Sequence, residues 1–445
     1  MIHRRLQRGL LSVVLVLSST GISYSQTSSI TGTVTDQTKA PAAGVAIRID
    51  GVDTGSVREV RSNDQGNFSV PLLQPGAYRL TAQKEGFKAV TRSGIRLDVG
   101  ETARLDLTLE LGSVAESVAV TADAPLLDTE GATVGKVVES RRIDDLPLNG
   151  RNVLALTMIT PGVKSNAGPA NSGFADRGLT LSMISINGGP SAANEIILDG
   201  ISSIQPVFAD PTINPPVDAV QEFRVQSGTM SAEYGFTAGG VVNLVTKSGS
   251  NQMHGTVYHF LRNDALDARN TFAVTKPPFR FNQFGAAIGG HVIKNRLFYF
   301  GNWEEWRYNR STPLIGTFPT AQQRTGDFSD LRDTAGRTIA LYDPSTTIAN
   351  PAGSGFVRTP YAGNRIPTSQ LDPVSLNMQK YYPSPNRTPS DPFTNANNYS
   401  KNSAEKRNQR GINARVDYRV SNSNNLFGRF SFFDYRTDNG TTAAN

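Results

Sequence analysis

Chemistry in this 445-residue chain would first be sought at four histidines, one Glu-Glu pair and one Gly-Gly step, because there is no cysteine. Without thiols there is no disulfide, no thiolate metal site and no cysteine nucleophile. His3 falls inside a leader segment described below. His254 and His259 are five positions apart, so on a strand they face opposite sides and do not share a metal. Glu304 and Glu305 are adjacent, again on opposite faces, which rules them out as a general acid–base pair. Gly239-Gly240 has no helix after it to complete a phosphate cradle. Asn63-Asp64-Gln65-Gly66-Asn67 lacks the spaced acidic ligands and closing glutamate of a calcium loop and reads as a turn. No H-E-x-x-H, G-x-S-x-G or P-loop pattern occurs. The sequence therefore offers no catalytic residue, no metal site and no cofactor site, and a protein without enzymatic activity is expected.

The elements that such residues would sit on are mostly strands. Charged residues make up 18% of the chain, with 41 Gly and 25 Pro; low charge and many turn formers suit an all-β protein. Residues 1–25 read as a signal peptide. Arg4, Arg5 and Arg8 form a basic start, Leu10–Leu17 is a short apolar run, and Ser23-Tyr24-Ser25 supplies small residues for cleavage before Gln26. Removing it takes three arginines and no acid, so the net charge falls from +6 to +3. The basicity is then largely a targeting property, and no nucleic-acid partner is expected. No later run reaches the ~20 apolar residues of a membrane helix. The exported chain is thus soluble, surface-attached or inserted as a β-barrel.

Residues 28–111 carry many short alternating runs separated by turn chemistry, the pattern of a β-sandwich. The strings TVTDQTKAPAAGVAIRI, NDQGNFSV and LQPGAYRLTAQKEGF resemble the carboxypeptidase regulatory-like domain. That resemblance implies an accessory module, sometimes grouped with carbohydrate-binding folds, and not a peptidase.

Residues 126–250 carry a second set of signals. A helical turn around Ile143 and Leu146 precedes the apolar run Val153–Ile159, which Pro161 stops. Two strands end on the corners Asn187-Gly188 and Asp199-Gly200, both strong turn signals. The strings LPLNGRNVLALTMITPGV, ISINGGPSAANEIILDGIS and EFRVQSGTMSAEYGFTAGGVVNLVTKSG resemble the Oar-like branch of the TonB-dependent outer-membrane receptors. The matching positions include Leu146, Asn149, Gly150, Arg151, Asn187, Gly188, Asp199, Gly200, Tyr234, Gly235, Gly239, Gly240 and Asn243. The resemblance implies that residues 126–250 form a plug domain and that 251–445 begin the barrel around it. It also implies a Ton box between accessory module and plug, and residues 112–125 hold a candidate: Glu116, Ser117, Val118, Ala119, Val120, Thr121 and Ala122. Their alternation suits strand addition to another protein's sheet edge. The same residues also read as the sandwich's last strand plus a linker.

Beyond Asn251, five strand candidates appear: Gly255–Arg262, Asn282–Val292, Arg296–Trp306, Gly411–Val420 and Leu426–Tyr435. Each is near the ~10 residues of a tilted membrane strand. In the fourth, Ile412, Ala414, Val416, Tyr418 and Val420 share one face, while Asn413, Arg415, Asp417 and Arg419 share the other. In the second, Phe284, Ala286, Ile288 and Val292 oppose Gln283, Gly285, Gly289 and His291. Apolar-out and polar-in fits a membrane barrel, and a soluble sandwich would give the same alternation. The connections run medium, short, very long (307–410), short, which matches short periplasmic turns and long external loops. The long loop reads either as a ligand-contacting lid or as a disordered segment.

The fold class expected is therefore mainly β: an N-terminal β-sandwich, an α+β plug domain and the first strands of a transmembrane antiparallel β-barrel. Five strands do not close a barrel of this type, so a C-terminally truncated fragment is expected. The implied activity is TonB-dependent transport across the bacterial outer membrane. The implied partners are the TonB energy-transducing complex, outer-membrane lipid and a ligand such as a siderophore, an oligosaccharide or a peptide. The alternative is an exported surface or periplasmic β-protein that binds glycans through its sandwich.

Overall fold

The computed structural model describes residues 27–113, 117–121, 134–146, 148, 151–165, 184–190, 193–205, 211–228, 230, 234–235, 237–269, 276–422 and 424–439. The expected signal peptide, Glu116, Ala122, Asn149 and Gly150 lie outside the described residues. Among the described residues no helix is long and apolar enough to cross a membrane, which says nothing of strands. The fold is mainly β throughout.

The first sandwich uses nine strands: β1 (Ser28–Asp36), β2 (Ala46–Gly51), β3 (Val57–Arg61), β4 (Asn67–Leu73), β5 (Gly76–Gln83), β6 (Ala89–Leu97), β7 (Thr102–Arg104), β8 (Leu107–Leu109) and β9 (Ser117–Thr121). One sheet runs β4-β1-β7, with β8 also on β1; the other runs β3-β2-β5-β6-β9. Alternate residues of each meet in one core, including Ile30, Val34, Ile47, Ile49, Leu80, Ile95, Leu97, Leu105 and Leu107. Each such side chain contributes about 1.5–3 kcal/mol on burial. The Asn63–Asn67 segment is an Asx turn, as its composition implies: Asn63 Oδ1 accepts the N–H groups of Gln65 at 3.0 Å and Asn67 at 2.8 Å.

A second set of elements follows: β10 (Val134–Val138), α1 (Ser140–Asp145), a 3₁₀ turn at Val153–Ile159, β11 (Val163–Ser165), β12 (Ile184–Ile186), β13 (Glu195–Leu198), β14 (Ile201–Ser202), β15 (Val220–Gly228) and β16 (Val241–Thr246). Five of these strands form one mixed sheet, β10-β15-β16-β13-β14. Its inner face buries Phe223, Val225, Val242 and Leu244 against Ile143, Val153, Leu154 and Leu156. The helical turn and the apolar run of the sequence thus roof this sheet. The two strands ending in Asn-Gly and Asp-Gly do not pair with each other. β12 pairs with β11, whereas β13 pairs with β14 and, in parallel, with β16.

All five wall strands expected beyond Asn251 are present, as β17 (His254–Asn263), β18 (Phe279–Ile293), β19 (Leu297–Gly316), β22 (Tyr399–Arg419) and β23 (Asn425–Asn439), in the order β17-β18-β19-β22-β23. β19 and β22 extend well past the expected ends, so the long connection narrows to 317–398. It holds a hairpin, β20 (Ile348–Ala349) and β21 (Phe356–Val357), and a short helix, α2 (Pro373–Met378).

The chain divides into two compact units. The first contains residues 1–258, 285–304 and 411–433; the second contains 259–284, 305–410 and 434–445. In the second unit the long connection is folded by turns rather than disordered. Asp327, Asp333, Asp343, Asp372 and Asp391 each accept a backbone N–H two residues ahead. Arg324 ties the segment together by donating to the carbonyls of Pro319, Gln379, Tyr382 and Pro383.

Candidate functional site

Parts of β18, β19, β22 and β23 bury polar side chains and expose apolar ones, although Ala287, Phe298 and Phe300 are buried beside the polar groups. Within the first unit, Asn302, Glu304, Asn413, Arg415 and Asp417 are buried, each at most 8% exposed. Ile288, Val416 and Phe430, of the opposite parity, are 47%, 48% and 63% exposed. The outward apolar series ends at Phe284, Trp303, Ile412 and Phe432. The next positions of the same parity are Asn282, Glu305, Arg410 and Asp434. A band of seven to nine residues per strand, apolar outside and bounded by polar groups, fits a tilted strand crossing a hydrocarbon layer.

Burying charge on the inward face is costly unless every charge is matched. The match comes from the mixed-sheet domain of β10–β16, the segment that the resemblance makes the plug. Asp199 and Gly200 form the two-residue turn between β13 and β14, with φ of 50° and 86°. Both central residues of a type I′ hairpin need positive φ, which Asp-Gly supplies. The turn aims the Asp199 carboxylate at the wall. Arg415 Nη1 lies 3.1 Å from Asp199 Oδ1, and Arg429 Nε lies 3.0 Å from Asp199 Oδ2. Arg415 also donates to the Thr246 carbonyl at 3.0 Å and pairs with Asp417 at 2.9 Å. Thr246 returns its N–H and hydroxyl to Asp199 at 2.9 and 2.8 Å, and Ser248 Oγ donates to Asp417 at 2.6 Å. Phe427 lies under the Arg415 guanidinium, 5.0 Å from centroid to Cζ. Two arginines and two aspartates leave the cluster neutral, so it is a closed ionic clamp between the plug's Asp-Gly corner and the wall.

A second contact uses Arg151, which adopts φ 50° just before the 3₁₀ turn. It pairs with Asp218 at 2.5 Å and lies over the Tyr258 ring on β17 at 4.7 Å. Tyr258 in turn donates to Glu304 at 2.8 Å. Such a stacked guanidinium is worth about 0.5–2 kcal/mol, depending on desolvation.

The other sequence-selected positions serve the plug's internal geometry. Leu146 caps α1 and is exposed. Asn187 and Gly188 turn the chain after β12, and the Asn187 amide donates to the Ser227 carbonyl. Gly239 and Gly240 let β16 approach its neighbours: a Cβ on Gly240 would sit 2.6 Å from the Gln226 carbonyl oxygen and 2.8 Å from Ile186. Asn243 is fully buried at the centre of β16. Tyr234 and Gly235 lie in the connection before it, half-buried and exposed. Of the Ton-box candidates, Ser117–Thr121 form β9, paired in parallel with β6 from Ala89↔Ser117 to Ser93↔Thr121.

The sequence singled out Asp199 as a turn former and missed its role in the clamp. Arg415 and Asp417 were on the polar face assigned to their strand, and two unlike charges at i and i+2 on such a face were the available signal. Among the described residues, no cluster of His, Asp or Glu has the arrangement of a metal site.

Comparison with known proteins bears on this arrangement. Residues 245–445 match the outer membrane β-barrel domain model, and residues 29–110 match the carboxypeptidase regulatory-like domain model. The TonB-dependent transporter Oar of Myxococcus xanthus is 28% identical over 360 residues, 77% of this chain and 31% of that protein. The probable TonB-dependent siderophore receptor PirA of Acinetobacter baumannii is 32% identical over 93 residues, 20% of this chain and 11% of that protein. The crystal structure of PirA aligns over 69% of this chain and 32% of that chain, at 16% identity and a TM-score of 0.35. The chain spans about a third of the length of Oar. Over most of its length the chain is similar to TonB-dependent outer-membrane receptors of the Oar type, with a segment similar to a carboxypeptidase regulatory-like domain ahead of one similar to an outer-membrane β-barrel domain.

Proposed function

We propose that this chain gates the passage of a ligand across the bacterial outer membrane, energised by TonB. One observation carries the reading. The wall strands expose an apolar band while their buried face grips a separate folded domain through a neutral charge cluster. A water-soluble sandwich gains nothing from that inversion; a lipid-facing wall with a movable filling requires it. Residues 126–250 act as the plug, 1–25 as the export signal, and Glu116–Ala122 as the strand taken up by TonB. The last assignment is supported by alternation and position. In the structure its central residues occupy an end position of their sheet, from which a strand is exchanged with least disruption. Relatives named as siderophore receptors favour a siderophore over an oligosaccharide or peptide as ligand.

The test is cross-linking in cells from photoreactive residues placed at each position from 116 to 122. Adducts with TonB at Val118 or Val120 are expected, and silence at all seven positions would remove the Ton-box assignment. Membrane fractionation tests insertion separately: recovery of the chain in the periplasm without detergent or denaturant counts against the wall reading.

A further inference from the structure

The accessory sandwich is seated on two different parts of the first unit. Its Asp98–Glu101 turn, between β6 and β7, meets plug strand β15. There the Val99 N–H donates to Glu222 Oε1 at 2.5 Å, and Arg224 Nη1 donates to the Gly100 carbonyl at 2.8 Å. Gln221 on the same strand donates to the Pro75 carbonyl at 3.3 Å. Val99 and Glu222 are both fully buried. Its Gly51–Ser56 turn, between β2 and β3, meets the wall. Arg419 donates to the carbonyls of Gly55 at 2.9 Å and Thr54 at 3.0 Å, and also to the Asn295 carbonyl in the β18–β19 turn. The Asn251 N–H donates to the Asp53 carbonyl at 3.0 Å. Gly55 packs so closely that an added Cβ would lie 2.3 Å from Asn295 Oδ1.

We propose that this domain is a removable brace across the seam between plug and wall: it ties β15 to the 293–296 turn, and the plug moves only after one seat lets go. The proposal rests on the transport reading for why the plug moves; the two seats themselves do not depend on it. Most of the contacts are made to backbone carbonyls and one backbone N–H. They depend on the shape of the sandwich's turns more than on its side chains, and each is individually weak enough to be released.

The plug seat also contains a titrating latch. Glu222 faces Asp98 and Glu101 from the sandwich turn. Glu139 adds a further negative charge beside Asp98, and Arg96, half exposed, has Nη2 4.0 Å from Glu222. Arg224, on its own strand, is turned to the Gly100 carbonyl. Burial, with Asp98 beside it, pushes the Glu222 carboxyl up to about 8. Burial raises Asp98 as well. Freed into water, Glu222 would titrate in the ordinary carboxyl range. The seated state therefore holds more protons between that range and about 8, and seating weakens progressively as pH rises through the window.

The absence of cysteine makes the test direct. A Cβ on Gly55 lies 3.5 Å from Asn295 Cβ, within disulfide reach. The full chain with Gly55→Cys and Asn295→Cys, in outer-membrane vesicles, should oxidise to a faster-migrating species that neither single variant gives. A rate no faster than that of two cysteines on unrelated exposed turns would overturn the brace. Gly55 has φ 62°, where a cysteine is strained. A second readout therefore uses the unsubstituted protein: the Val99 amide should be protected from hydrogen exchange at pH 5, and its protection factor should drop about tenfold or more between pH 5 and pH 9; an unprotected amide at pH 5 overturns the brace, and constancy over that range overturns the latch. Neither readout needs ligand or TonB, so a failure here leaves the transport reading intact, and the reverse holds too.

Discussion

Replacing Arg415 by Met removes the centre of the clamp while keeping the bulk of the side chain. Arg415 is 5% exposed, and its guanidinium serves Asp199, Asp417 and both oxygens of Thr246. Removing one member of a buried ion group costs about 3–5 kcal/mol, because the partner's charge stays buried. Asp199 keeps Arg429 and two bonds from Thr246, so it is not stranded. Asp417 keeps only Ser248 among these partners. The expected cost is therefore at the lower end, about 3 kcal/mol, with Asp417 as its main source. Arg415→Met with Asp417→Leu removes the orphaned charge as well and leaves the Asp199–Arg429 pair balanced. That double variant should lose no more than about 1 kcal/mol, so the two changes should be coupled by at least about 2 kcal/mol, and by more if Asp417→Leu is costly alone. The assay is pulse proteolysis of the plug in vesicles across a urea series, for wild type, both single variants and the double. If Arg415→Met shifts plug release by less than about 1 kcal/mol, or if the two changes simply add, the clamp is not a coupled unit and the argument fails.

Three further outcomes are expected. Val416→Arg, on the outward face, should cost about 2–4 kcal/mol of insertion stability if lipid lies there, and unchanged resistance of the membrane-bound chain to urea extraction would refute the lipid-facing assignment. Gly240→Val forces a side chain against the Gln226 carbonyl and Ile186; it should destabilise the plug by about 1–3 kcal/mol, read as earlier thermal loss of protease resistance. In the second unit, hydrogen bonds from Ser329 and Gln322 and the nearby Arg365 hold the Asp327 carboxyl down at about 2. Its turn is therefore held in full above the ordinary carboxyl range and lost as pH falls toward about 2. The Ser329 amide should lose exchange protection in that window, and Asp327→Asn should abolish the pH dependence.

How much of this was legible in sequence depended on how far each signal reached along the chain. The wall strands were readable because alternation is local: Ile412 to Val420 against Asn413 to Arg419 divides as the buried and exposed faces divide. The outer halves of β19 and β22 were not, since past Trp306 and before Gly411 both faces turn polar and the period-2 contrast vanishes. The Asp199-Gly200 corner was legible as a turn, because positive φ has a residue signature. Its partner was not, because Arg415 is 216 residues away and nothing local marks the pair. The strand Ser117–Thr121 showed its alternation but not its neighbour, since parallel pairing with β6 leaves no turn between them to read.

The clamp also gives the plug a mechanical polarity. In its sheet, β10 is the outermost strand on one side and belongs to the N-terminal end of the plug, while β16 lies at the centre. The residues that close β16 and follow it, Thr246 and Ser248, are the ones Arg415 and Asp417 hold. Tension arriving from the N-terminal side therefore falls first on the Val134–Gly228 end of the β10–β15 ladder, one rung at a time. The far end stays fastened beside the strand that enters the wall. On the transport reading proposed above, such a domain would open by peeling rather than by ejection, and the fastened strands would remain as the template on which it closes again.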